Sequence, residues 1–128
     1  FEIRPEVPYT NMDLDWQDKG SRSTVEMNDR SSRPAINSKV TDMNQYDVIF
    51  IGFPIWWYRE PSIIDTFMES YDFSGKTVVP FATSGGSSIG ASGKNMQALA
   101  TGVKVLEGRC FASNVSGKAL ADWAAMWI

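Results

Sequence analysis

The run Val48-Ile-Phe-Ile-Gly-Phe53 carries no polar side chain. A strand that is apolar on both faces is a strand covered on both faces, as in a parallel sheet. Beyond it, helix and strand patterns alternate. Ile63, Ile64, Phe67 and Tyr71 fall on one face of a helix, with Pro61 in its first turn, where a missing N–H costs nothing. Ser74-Gly-Lys76 turns the chain into a strand over Thr77–Ala82. Ser92–Ala100 reads as the next helix, with Met96 and Leu99 inward and Gly102 closing it. Val103–Phe111 reads as a third strand with Gly108 as a bulge. Ser116 is placed to cap a last helix whose inner face carries Leu120, Trp123 and Trp127. This order predicts an α/β fold, a parallel sheet with helices on both faces and right-handed crossovers.

The first third of the chain is different. Phe1–Arg4 reads as the end of a short strand, stopped by Pro5 and Pro8. Residues 9–45 are polar and weakly periodic, with a turn of helix expected near Asn11–Gln17 and another around Ser23–Arg30. Met12, Met27 and Met43 read as gap-fillers under this arm. The 128 residues therefore form one domain: an N-terminal strand and long irregular arm over 1–45, and a βαβαβα core over 46–128.

Composition removes several function classes. The net charge is −3 and no Lys/Arg cluster exists, so a nucleic-acid footprint is not expected. Histidine is absent, which excludes Ser-His-Asp and Cys-His machinery and most zinc sites. Chemistry, if present, belongs to a cofactor and not to catalytic side chains. Val48–Trp57 is too short to span a bilayer and is broken by Gly52 and Pro54, so no membrane role is expected. The one cysteine, Cys110, forms no internal disulfide, reads as a small buried hydrophobe, and suits a cytoplasmic location.

Two strand ends carry unusual loops. The first delivers Pro54, Ile55, Trp56, Trp57 and Tyr58; the second is Thr83-Ser-Gly-Gly-Ser-Ser-Ile-Gly90. Neighbouring parallel strands that empty into such loops predict a ligand crevice at the carboxyl edge of the sheet. One loop offers flat aromatic surface, the other bare amides and hydroxyls. A planar heterocycle with polar edges, such as a flavin, suits both. Glu60, Asp65, Glu69 and Asp72 read as a solvated helix face, and Arg59 as a surface arginine or a contact for a nicotinamide nucleotide or redox partner.

The pattern Tyr46-Asp-Val-Ile-Phe-Ile-Gly-Phe-Pro-Ile-Trp-Trp57, then Phe67-Met-Glu-Ser-Tyr-Asp-Phe-Ser-Gly-Lys76, then Pro80-Phe-Ala-Thr-Ser-Gly-Gly-Ser-Ser-Ile-Gly90, resembles the bacterial flavodoxin-like flavoproteins. Phe1-Glu-Ile3 and Val105-Leu-Glu-Gly108 extend the similarity over nearly the whole chain. The resemblance implies a flavodoxin-like three-layer sandwich with FMN across the carboxyl ends of its strands. Pro54, Ile55, Trp56 and Trp57 would line one side of the isoalloxazine, with Tyr58 at its edge. Thr83, Ser84, Gly85, Gly86 and Ser87 would approach its polar edge and ribityl chain, and Gly90 would let the loop return. The family's opening strand, phosphate loop and helix find no counterpart among residues 1–45. A first βα unit of roughly 30 residues is expected to be missing. Its loop would hold the flavin phosphate, and its strand would lie beside Val48–Phe53. Weaker FMN binding and an open sheet edge are the expected consequences; the edge is expected to be covered by Phe1–Arg4 sliding in beside Val48–Phe53, by a second chain in a homo-oligomer, or by further residues of a longer natural protein.

The expected function is electron transfer, or NAD(P)H-dependent reduction of a quinone-like acceptor, with FMN as cofactor. The alternatives are a flavodoxin-like module without FMN, structural or strand-swapped, and a binding module for another flat ligand or a peptide.

Overall fold

The computed structural model describes residues 1–128. In chain order the elements are α1 (Arg22–Asn28), a 3-10 turn at Met43–Gln45, β1 (Val48–Pro54), α2 (Ser62–Ser70), β2 (Thr77–Thr83), α3 (Ser92–Ala98), β3 (Lys104–Val105), β4 (Arg109–Phe111) and α4 (Gly117–Ala125). Every strand pairing is parallel. β2 is central, with β1 on one side and both β3 and β4 on the other.

The two faces of β2 divide the core. Val78 and Ala82 join Ile51, Phe53, Phe67, Met68 and Met96 beneath α2 and α3. Val79 packs on the opposite side with Phe111 and Trp123 of α4. The predicted α/β sandwich is therefore present, with a layer of helix on each face.

The third predicted strand is split. Val78 pairs with Val105 and Phe81 with Arg109, so three residues, Leu106–Gly108, stand against two, Val79 and Pro80. Pro80 has no N–H for the ladder, and the extra residue is absorbed at Gly108, whose φ is +80°. The bulge sits where the sequence placed it. Other boundaries shift. Pro61 caps α2 from just outside it, and α3 ends at Ala98, leaving Gly102 in the turn beyond. Leu120 and Trp123 face inward on α4, but Trp127 lies past its end and is 38% exposed.

The arm holds one helix, α1, whose cap Ser21 accepts from Thr24 N–H. At the expected turn of helix near Asn11–Gln17 the chain makes a single helical turn, Leu14 N–H donating to Thr10 C=O at 3.1 Å, and no longer helix. Met27 and Met43 are buried as gap-fillers, whereas Met12 is exposed.

Phe1–Arg4 is not a strand of the sheet. Its only ladder contact is a single antiparallel bridge from Pro5 to Ile36 of the arm. Between it and β1 lies a cavity of about 740 Å³, closed on a third side by Ile63, Ile64 and Phe67 of α2. β1 pairs with β2 alone, so one of its edges is free. The expectation that β1 is wholly covered fails for that reason. Val48, Ile49 and Phe50 are half-buried, and Gly52 is exposed. No helix is long and apolar enough to cross a membrane.

Candidate functional site

β1 and β2 run in register to their carboxyl ends, where Pro54 pairs with Thr83. Ile55 N–H then donates to Thr83 C=O at 3.0 Å, so the two predicted loops leave the sheet side by side.

The aromatic loop is a tight turn. Trp56 N–H donates to Arg59 C=O at 3.0 Å and Arg59 N–H to Trp56 C=O at 3.2 Å. The two residues between them are left-handed, with φ of +49° at Trp57 and +70° at Tyr58. Such turns ordinarily use Asn-Gly. Bulky side chains in this region cost about 1–3 kcal/mol each and persist only where their surroundings hold them. The strain has a visible result. Trp57 is 41% and Tyr58 77% exposed, so both rings stand outside the core. Trp56 is half-buried, with the Tyr9 ring edge-on at 5.3 Å.

The second loop curls beside this turn. Gly90 lies so near Tyr58 that a Cβ on it would come 3.0 Å from the Tyr58 carbonyl oxygen, and its φ is +59°. Thr83, Gly85 and Gly86 are exposed, and Ser84 and Ser87 half-buried. Not all the loop amides are bare. Ser84 Oγ accepts from Gly86 N–H at 3.1 Å and from Ser87 N–H at 2.7 Å. Gly85 N–H finds no acceptor within the chain. Cys110 Sγ donates to Ser87 C=O at 3.4 Å, which ties the loop to β4. Pro54 and Trp56 also line the cavity beside β1; no residue of Thr83–Gly90 does.

Behind the turn lies a group that the sequence did not reveal. Arg59, Glu60 and Asp65 are 6%, 0% and 3% exposed. They are neither a surface arginine nor a solvated helix face. The Arg59 guanidinium lies 3.6 Å from Glu60 Oε2 and 3.5 Å from Asp65 Oδ2, and donates to Met27 C=O at 3.2 Å. Asn95 Nδ2 donates to Glu60 Oε1 at 2.9 Å. Burial, then the Glu60 carboxyl beside it, push the Asp65 pKa up to about 8, against the pull of Arg59 and Arg33. The only sequence signal was a charged pair set between Trp-Trp-Tyr and a helix-capping proline, a place where a turn needs an anchor.

That raised pKa has a stability consequence. Above its unfolded value of 3.8 and below about 8, the folded chain holds a proton that the unfolded chain has released. The stabilisation from Asp65 is complete below the unfolded value and is lost as pH rises through about 8. Urea midpoints are expected to fall between mildly acidic and alkaline solution in the wild type, and to fall less in Asp65→Asn.

A flavodoxin family model matches residues 1–126. Two solved structures, candidate flavoproteins from Bacteroides eggerthii DSM 20697 and Bacteroides uniformis ATCC 8492, are each 50% identical to this chain. The first match covers 98% of this chain and 79% of that one, with a TM-score of 0.88. The second covers 98% and 80%, with a TM-score of 0.90. A flavoprotein from Lactobacillus acidophilus NCFM, solved in complex with FMN, shares the fold at 23% identity and a TM-score of 0.58, over 90% of this chain and 75% of that one. No functionally curated protein matches. The family match over residues 1–126, on a parallel sheet whose carboxyl edge bears an aromatic turn against a glycine loop, makes this chain a member of the flavodoxin family.

Proposed function

We propose that this chain is an FMN-dependent redox protein whose flavin ring is held between the Trp56–Tyr58 turn and the Thr83–Ser87 loop. The observation that carries this reading is the meeting of the two loops at Pro54–Thr83 and again at Tyr58–Gly90. Trp57 and Tyr58 present apolar ring faces, while Thr83 and Gly85 leave a hydroxyl and an N–H for the ring's polar edge. Those residues fit the isoalloxazine. They bind and orient it and shield one face from water. FMN bound there supplies electron or hydride transfer, which needs no acid or base from the chain. The reading extends to electron transfer or to NAD(P)H-dependent reduction of a quinone-like acceptor in the cytoplasm. The FMN complex of the Lactobacillus protein supports the cofactor assignment.

The test is a titration of the purified chain with FMN, followed by flavin fluorescence. Quenching with a saturable isotherm is expected, and Trp57→Ala should weaken it by about tenfold through lost stacking. Fluorescence unchanged by excess protein would remove the flavin reading. The helix nearest in sequence before β1, α1, is only seven residues long and is capped by its own Ser21. Each missing hydrogen bond to a charged phosphate forfeits about 1.5–3 kcal/mol. Riboflavin is therefore expected to bind this chain nearly as well as FMN does, a direct comparison by the same titration.

The free edge of β1 favours a second reading, in which the chain is a structural module that pairs with a second copy of itself. An apolar edge beside a cavity of about 740 Å³ invites strand addition. Light scattering decides it: a dimer mass supports pairing, and a monomer mass at every concentration removes it.

A further inference from the structure

Glu60 and Asp65 are the only carboxyl groups in the buried set. Glu60 Oε2 and Asp65 Oδ1 have no hydrogen-bond partner, although both are shut off from water. Two ionised carboxylates cannot satisfy each other, because neither carries a hydrogen. One proton between them gives an orphaned acceptor a donor.

The charge count agrees. Around Asp65 stand Arg59 and Glu60 from the turn, Arg33 from the arm and Glu69 from the next turn of α2. Arg33 Nη1 lies 3.9 Å from Asp65 Oδ2, and Arg33 Nε pairs with Glu69. The other nearby groups face elsewhere. Glu26 meets Tyr9 and Arg22, and Lys76 meets the carbonyls of Asn44 and Tyr46. Asn95, from α3, is neutral. Arg33 and Glu69 offset each other at the surface; in the buried site two carboxylates face the one guanidinium of Arg59, which leaves one negative charge, and a single proton cancels it.

We propose that Glu60 and Asp65 share one proton, and that this proton is a latch on the aromatic turn. While it is held, the neutral cluster fixes Arg59, and Arg59 closes the turn that holds Trp57 and Tyr58 in their left-handed conformation. When the proton leaves to solvent, the two carboxylates repel and the turn loosens. Glu60 adjoins Arg59 in the chain, so the displacement reaches the turn directly. Glu60 and Asp65 are positioning residues, not catalytic ones. The effect on flavin rests on the function proposed above; the latch itself does not.

The experiment begins with the ligand-free chain. An infrared band of a protonated carboxyl is expected at neutral pH. It should disappear in alkaline solution, and tryptophan fluorescence should change with the same midpoint. Asp65→Asn and Glu60→Gln should lack the band, because the amide now supplies the hydrogen. Their fluorescence should stay flat over that range. FMN titrations should show wild-type affinity falling severalfold on the alkaline side, and no such fall in Asp65→Asn. If either variant fails to fold, the wild-type band and fluorescence still decide. Absence of a protonated carboxyl at neutral pH overturns the proposal, as does a band that titrates with no tryptophan response. Failure to bind FMN at any pH counts against the flavin reading alone, since the first two signals need no flavin.

Discussion

Arg59→Ala is expected to destabilise the chain by about 3–5 kcal/mol, the cost of stripping a buried ion cluster of its central cation. Three effects act together. Glu60, at 0% exposure, loses its only cationic partner. Asp65 loses one of two, because Arg33 remains at 3.9 Å. Met27 C=O loses the donor that ties the arm to the turn. A loss of that size is a large share of the stability of a domain this small. Urea denaturation followed by far-UV circular dichroism measures it. Adding Asp65→Asn and Glu60→Gln to Arg59→Ala should recover a substantial part, because most of the penalty is uncompensated charge and not lost packing. A single-variant loss below about 1 kcal/mol would show the cluster to be solvated, as an exposed ion pair is.

Gly108→Ala is expected to cost about 4 kcal/mol or more, in the range that marks a specific structural collision. A Cβ on Gly108 would fall 2.2 Å from the Pro80 carbonyl oxygen, at a φ of +80°. Pro80 belongs to the central strand and is fully buried, so its backbone has nowhere to retreat. The strain spreads to β4, which carries Phe111 against the Trp123 ring at 5.2 Å. Gly75 is the control. Its φ is +77°, nearly the same, but nothing lies within 4 Å of its Cβ position. Gly75→Ala should therefore cost only the left-handed backbone penalty, about 1–2 kcal/mol. Comparison of the two melting temperatures separates collision from conformational strain. Equal losses would mean that the bulge opens to make room.

Much of the fold was legible along the chain. Val48–Phe53 and Thr77–Ala82 announced themselves as strands by continuous apolar character, and Ile63, Ile64 and Phe67 as a helix face by spacing. The bulge at Gly108 was legible because a lone glycine interrupts a strand pattern between Val105 and Phe111. The site loops were legible in outline. Gly-x-Pro at one strand end and Thr-Ser-Gly-Gly at its neighbour are chemically unlike ordinary connections. The amides of Gly86 and Ser87 were misjudged as free, since Ser84 Oγ already takes both. That depends on how the loop curls, which no periodicity records.

Local order thus set which segments are strand, helix and loop, because those choices depend on neighbours within a few residues. Tertiary structure alone decided that Phe1–Arg4 joins the arm instead of the sheet, and that Arg59, Glu60 and Asp65 are enclosed. Each outcome turns on a partner distant in sequence: Ile36 for Pro5, Met27 for Arg59, Asn95 for Glu60. A charged side chain reads as solvated until something far along the chain folds over it, and the cost of enclosing it is met only where the opposite charge and the hydrogen-bond donors converge.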